Sequence, residues 1–297
     1  MRLVTRGDLD GLTCAVLICL NEKIDRIMLI HPQDITDDRV VIEKDDIIAN
    51  LPYHPNCAKW FDHHLHTATA TARPDHFEGS FGQAPSAARL VYEYYGGKEK
   101  MAPFDELVYE TDRLDSADLD PIDVLNPDGY IKIGFTIDGR TGLGAFETYF
   151  HTLMGLMLRK TPLDEILDHP EVKRRCEELD AQNRAFRDAL KQCSRVEDNV
   201  VITDFRPLGE VPVGNRFLIY ALYETVNVSV RLQWGPQRKF QMMTLGHSIF
   251  KRTCNTNVGE LAARYGGGGH KGAGSVPLME DPEMQIQLII AELKRNG

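Results

Sequence analysis

A short apolar run at the amino terminus, residues 2–5, breaks into Gly7-Asp8-Leu9-Asp10-Gly11 and then into the apolar stretch 12–20. This order constrains the fold more than any other feature. A strand, a tight acidic turn and a buried helix open an α/β domain. Further apolar runs at 27–32, 46–50 and 58–64 also end in polar residues. In open parallel sheets, ligands bind outside the carboxyl ends of the strands. If these runs are neighbouring strands, Asp8, Asp10, Asn50, His63 and His64 share that rim.

The rest of the chain adds helices and a second strand pattern. Ser86 is a candidate N-cap for a helix that stops at Gly96-Gly97, and 104–113 reads as helical. The clearest helix lies in the middle. Asp168 can cap it, Pro170 suits its first turn, and Val172, Cys176, Leu179, Phe186, Leu190 and Cys193 recur at helical spacing. It is expected to bridge two domains. Strand patterns resume at 199–205, 226–234 and 239–246. A short amphipathic helix over 258–266 ends in four glycines, and Asp281-Pro282 opens a last helix that buries Ile286, Ile289, Ile290 and Leu293.

A length of 297 residues suits two domains, each able to bury a core without disulfides. The formal net charge of −10 argues against a broad basic face for holding long duplexes. A short phosphate ester can still bind an acidic chain where cations are concentrated at one point. None of the six cysteines forms a C-x-x-C pair, so they read as reduced, mostly buried thiols. The amino terminus shows no secretory apolar region, and the 12–20 run is too short to span a bilayer. A cytoplasmic location is the resulting expectation.

Four clusters could carry chemistry. Asp8 and Asp10 can converge on one hard cation, although for that pattern alone a capping aspartate is the favoured reading. Asp62-His63-His64 ends an apolar run containing Trp60-Phe61, which suggests a rigid strand end able to hold a mixed N/O metal site. Asp112, Asp115 and Asp118 recur at three-residue steps, so Asp112 and Asp115 share a helix face; Asp118 and Asp120 read as solvated. Gly266-Gly267-Gly268-Gly269-His270-Lys271 offers close backbone approach to a phosphate plus charged donors. The stretch 251–257, with Arg252 and Asn255, adds further donors.

Together these residues resemble the DHH–DHHA1 phosphoesterase superfamily. Asp62-His63-His64 matches its naming motif, Asp8-Leu9-Asp10-Gly11 its first motif, and 266–270 the GGGH motif of the DHHA1 domain. The resemblance covers nearly the whole chain, in the family's order. It implies an α/β fold: a parallel-sheet DHH domain (1–160), a connecting helix region (161–196) and a smaller mixed α/β DHHA1 domain (197–297). It also implies one or two Mn²⁺ or Mg²⁺ ions. The implied activity is hydrolysis, by metal-activated water, of a small phosphate ester or anhydride such as a nucleotide, polyphosphate or short single-stranded oligonucleotide. A homodimer is expected, and no membrane partner.

Carried over by position, Asp8, Asp10 and His63 would be metal ligands, with Asp112 the late bridging aspartate and Asp115 the runner-up. His64 would contact phosphate, and Asp62 would orient a neighbouring imidazole. Arg252, Asn255, Gly267, Gly268, Gly269 and His270 would bind substrate. Two positions depart from the pattern. Val4 stands where family members usually carry a histidine, and Asn50 where they carry an aspartate. Asn50 can ligate through its carbonyl but adds no charge, so the resemblance implies weaker binding at one position, or a single metal. Three functions compete: a hydrolase, a non-catalytic nucleotide or phosphate binder, and an RNA-linked module. The acidic balance and the lack of a basic, aromatic-rich strip count against the last.

Overall fold

The computed structural model describes residues 1–64, 76–139, 147–279 and 281–296. The chain forms two compact units. The first comprises Met1–Asp118 with Pro127–Leu179, and the second Leu119–Asn126 with Asp180–Gly297.

In the first unit, the strands β1 (Arg2–Thr5), β2 (Arg26–Leu29), β3 (Asp46–Ala49), β4 (Lys59–Asp62) and β5 (Gly79–Phe81) form one sheet in the order β2-β1-β3-β4-β5. Every pairing is parallel, with Leu3 beside Ile27 on one side and Ile47 on the other. The direction of strand addition reverses between β1 and β3, which is where such sheets open a binding crevice. The strands at the centre are buried on both faces, which explains their unbroken apolar runs. Helix Leu9–Cys19 is buried over its length because it packs beneath the sheet and against the helices Ala87–Tyr94 and Asp105–Asp115. On the opposite sheet face, Trp60 stacks on Phe81 at 4.6 Å and donates its indole N–H to the Leu51 carbonyl at 2.9 Å. Arg2 forms a buried ion pair with Asp46 and also donates to the Val41 carbonyl, so the buried charge has polar partners.

In the second unit, the strands are β6 (Ser194–Glu197), β7 (Val200–Asp204), β8 (Val228–Trp234), β9 (Gln241–His247), β10 (Gly268–His270) and β11 (Ala273–Leu278). Their order is β10-β11-β9-β8-β7-β6, antiparallel except between β7 and β8. Val228, Val230 and Leu232 alternate with less buried residues along β8 and line one core face. That core is completed by helix Pro282–Arg295, which buries Ile286, Ile289, Ile290 and Leu293, the stripe read from the sequence. Helix Pro170–Cys193 runs across the division between the units at Leu179 and Asp180. Asp168 does not cap it; Asp168 is the last residue of the preceding helix, Leu163–Asp168. No helix among the described residues is long and apolar enough to cross a membrane.

Candidate active site

The first unit gathers its chemistry at the carboxyl rim of the parallel sheet. Asp8 follows β1, Asn50 follows β3, and His63 follows β4. Asp10, His63 and Asp115 each place a ligand atom within 4.8 Å of the other two. His63 Nε2 lies 3.1 Å from Asp115 Oδ2 and 3.8 Å from Asp10 Oδ2. It is buried and makes no aligned hydrogen bond among the described residues, while Nδ1 lies 3.0 Å from the Ala84 carbonyl. A proton on Nδ1 satisfies that carbonyl and leaves the Nε2 lone pair facing the two carboxylates, the tautomer a metal requires.

Asp10 is held by backbone. Its Oδ2 accepts from the Ala87 N–H at 2.9 Å and its Oδ1 from the Ala88 N–H at 2.7 Å, at the first turn of helix Ala87–Tyr94. The Cys14 thiol lies 3.7 Å from Asp10 Oδ1. Ser86 caps the same helix as expected, its Oγ accepting from the Arg89 N–H at 3.0 Å. Asp62 is fully buried, and its Oδ1 lies 2.7 Å from His64 Nδ1.

Asp112, the first choice for the late aspartate, is engaged by neighbouring side chains. Asp112 Oδ1 accepts from Ser86 Oγ at 2.6 Å, and its Oδ2 takes Arg89 Nε at 2.8 Å and Nη2 at 2.6 Å. A carboxylate committed to a bidentate guanidinium and a hydroxyl has little left for a cation. Asp115, one turn later on the same helix, is the carboxylate that reaches His63.

Asp8 also departs from a simple ligand role. Its side chain caps helix Leu9–Cys19, with Oδ1 accepting from the Gly11 N–H at 2.9 Å and from Asn50 Nδ2 at 3.1 Å. Its Oδ2 lies 3.1 Å from Arg6 Nε. Asn50 occupies the left-handed region at φ 56°, and its buried Oδ1 has no hydrogen-bond partner among the described residues. Asparagine tolerates that conformation better than most residues, and such strain concentrates at functional sites. Gly11 is required at its position, because an added Cβ would sit 2.0 Å from the Arg6 carbonyl oxygen.

The electrostatics favour a cation. Burial raises the Asp10 pKa well above the usual carboxylate range, and the Asp115 charge raises it further. Burial likewise raises Asp8. For His63, burial alone would lower the pKa, but Asp115 and Asp10 outweigh it and raise the value to about 9. Two carboxylates and an imidazole nitrogen crowded together fit a divalent ion that accepts mixed N/O ligands, such as Mn²⁺ or Mg²⁺.

The second unit places His270 on the exposed strand β10, where Nδ1 accepts from the Gly272 N–H at 3.2 Å. The glycines divide by role. A Cβ at Gly267 would lie 2.0 Å from the Ser275 carbonyl oxygen, and one at Gly269 would lie 2.2 Å from that of Ala273. These two make room for neighbouring backbone. Gly268 faces open space. Arg252 donates from Nε to the Ile249 carbonyl at 2.9 Å. Asn255 lines a cavity of about 510 Å³ with Thr256, Asn257, Glu260, Arg264 and Glu292. His247 was not anticipated. Burial lowers its pKa, and the nearby Lys271 and His270 add to the shift.

No family model and no curated protein matches the chain. Among solved structures, it is similar to PggH, a pGpG-specific phosphodiesterase from Vibrio cholerae, at 39% identity and TM-score 0.88, over 100% of this chain and 99% of that one. Two more distant likenesses concern the fold alone. A DHH domain of a member of the s1p family of ribosomal proteins gives 15% identity and TM-score 0.58, over 100% of this chain and 87% of that one. Thermus thermophilus RecJ in complex with Mn²⁺ gives 13% identity and TM-score 0.57, over 100% of this chain and 52% of that one. With a parallel sheet carrying Asp62-His63-His64 at its rim, a mixed sheet carrying the glycine–histidine strand and a relative aligned end to end, the chain belongs to the DHH–DHHA1 phosphoesterase superfamily.

Proposed function

We propose that the chain is a metal-dependent phosphodiesterase acting on a short linear oligonucleotide, with pGpG the first substrate to test. One observation carries this reading: Asp10, His63 and Asp115, from separate elements, converge within 4.8 Å at the rim of the parallel sheet. The likeness to PggH, described as pGpG-specific, supports the substrate class. The mixed N/O donor set supports Mn²⁺ or Mg²⁺ as the cofactor.

A divalent ion held there supplies Lewis-acid polarisation of the phosphoryl group and a water acidic enough to attack near neutral pH. The remaining work falls to side chains. The amides of Ala87 and Ala88 fix the Asp10 carboxylate, so ligand geometry needs no reorganisation. Asp62 holds the His64 tautomer through Nδ1, leaving Nε2 to carry a proton to a phosphoryl or leaving oxygen. Hydrolysis forms one P–O bond from water and breaks the bond to the 3′ oxygen, which departs with a proton; two mononucleotides result. His270, the Gly268 backbone, Arg252 and Asn255 are assigned to substrate binding, and His64 to phosphate contact.

The test is turnover of pGpG, longer oligonucleotides and polyphosphate with excess Mn²⁺, by native protein and by Asp10→Ala. The proposal expects mononucleotide release that is lost on chelation and in the variant. Turnover that survives both treatments, or none on any substrate, contradicts it. The engagement of Asp8 by Arg6 and Asn50 favours one second reading, a nucleotide binder without turnover. That reading expects activity to appear only after Val4→His and Asn50→Asp.

A further inference from the structure

We infer that Arg6 provides the second fixed cation of this site, so that the chain binds one divalent ion where a paired centre would bind two. The inference rests on the metal-dependent reading above and adds how the charge is balanced. Asp8, just past β1 and hydrogen-bonded to Asn50 at the end of β3, is already engaged. Its Oδ1 accepts two hydrogen bonds, from Gly11 and Asn50, and its Oδ2 meets Arg6 Nε at 3.1 Å. Two acceptor directions per oxygen leave Oδ1 no capacity. The oxygens of Asp8 also stand outside the cluster formed by Asp10, His63 and Asp115.

Asn50 reinforces this arrangement. It turns its amide nitrogen, not its oxygen, toward Asp8. An aspartate there would repel Asp8 and call for a cation; the asparagine joins the two side chains by a hydrogen bond instead. The buried Asn50 Oδ1 has no hydrogen-bond partner among the described residues. Charge points the same way. A second dication beside Asp8 would face the Arg6 guanidinium at close range.

Arg6 is held in place by the chain around it. Its carbonyl lies over Gly11, where there is no room for a side chain. Its terminal nitrogens have no partner among the described residues, and its side chain is about one-third exposed. A guanidinium anchored through Nε presents a planar pair of donors that suits a phosphoryl oxygen.

Calorimetric titration of the chelated full-length chain with Mn²⁺ decides the matter, with Asp10→Asn as the background for adventitious surface binding. The native chain is expected to take up one ion, with the electron paramagnetic resonance spectrum of an isolated Mn²⁺. The double variant Arg6→Ala/Asn50→Asp is expected to take up two and give an exchange-coupled spectrum, while Arg6→Lys stays at one. Two ions in the native chain overturn the inference and leave the phosphodiesterase reading intact. No saturable binding above the background overturns both. If the double variant does not fold, as read by its thermal melt, the native stoichiometry alone still decides.

Discussion

The two motif-bearing regions are built by opposite rules. In the parallel-sheet unit, Asp10 and Asp62 are buried and their oxygens are held by amides or imidazoles. In the mixed-sheet unit, the strand Gly268–His270 is exposed, and the side chain of His270 is restrained only by the Gly272 amide among the described residues. The first region fixes side chains so that charge can converge. The second fixes backbone, through glycines, so that a strand can lie close to its neighbours. Substitutions should therefore fail differently in the two places.

The largest contrast lies between Asp10 and His270. Asp10→Ala removes a metal ligand, and turnover should fall by more than about a thousandfold, on the order of losing one major electrostatic element of a catalytic site. Mn²⁺ uptake should fall with it. Under the proposed assignment of His270 to substrate binding, His270→Ala should raise KM roughly 10- to 100-fold with metal uptake unchanged. Equal losses of metal from the two variants would break the comparison.

The glycines sharpen it. Gly267→Ala drives a methyl group against the Ser275 carbonyl and should destabilise the second unit by roughly 2–4 kcal/mol. Gly268→Ala meets open space and should cost less than about 1 kcal/mol. Denaturant melts of the two variants give both values. A similar cost at both positions would mean that backbone packing is not what these glycines serve.

A smaller effect concerns pH. In the metal-free chain, His63 has a folded-state pKa raised from 6.5 to about 9. A raised pKa means that the folded state holds the proton more tightly. The associated stability is full below about pH 6.5 and is lost as pH rises through about 9, on the order of 1–3 kcal/mol. The raised Asp10 carboxyl has the same sign, its contribution falling as pH rises above the ordinary carboxylate range. With saturating Mg²⁺ or Mn²⁺ this loss should vanish, because the ion replaces the proton. Thermal melts across pH 6–9, with and without metal, measure the difference.

Much of the first site was legible because apolar runs that stop abruptly mark strand ends, and strand ends of a parallel sheet form one rim. That logic placed Asp8, Asn50 and His63 along the rim. The choice between Asp112 and Asp115 was not legible. Both lie on one helix face, and what separates them is the engagement of Asp112 by Ser86 and Arg89, far away in sequence. Arg6 was passed over because a single arginine beside an acidic turn carries no periodic signal; only its 3.1 Å contact with Asp8 reveals it. In the glycine run, composition alone could not divide residues that admit backbone from one that faces open space. The helix boundary at Asp168 moved because an aspartate before a proline can end one helix as readily as start another.

The central claim is that Asp10, His63 and Asp115 hold the catalytic ion. A crystal structure of the Mn²⁺-soaked protein, with anomalous scattering recorded at the manganese edge, addresses it most directly. The account predicts a peak in ligand range of Asp10 Oδ2, His63 Nε2 and Asp115 Oδ2, with Asp112 still paired to Arg89. A peak on Asp112, or none near His63 at saturating Mn²⁺, would contradict it.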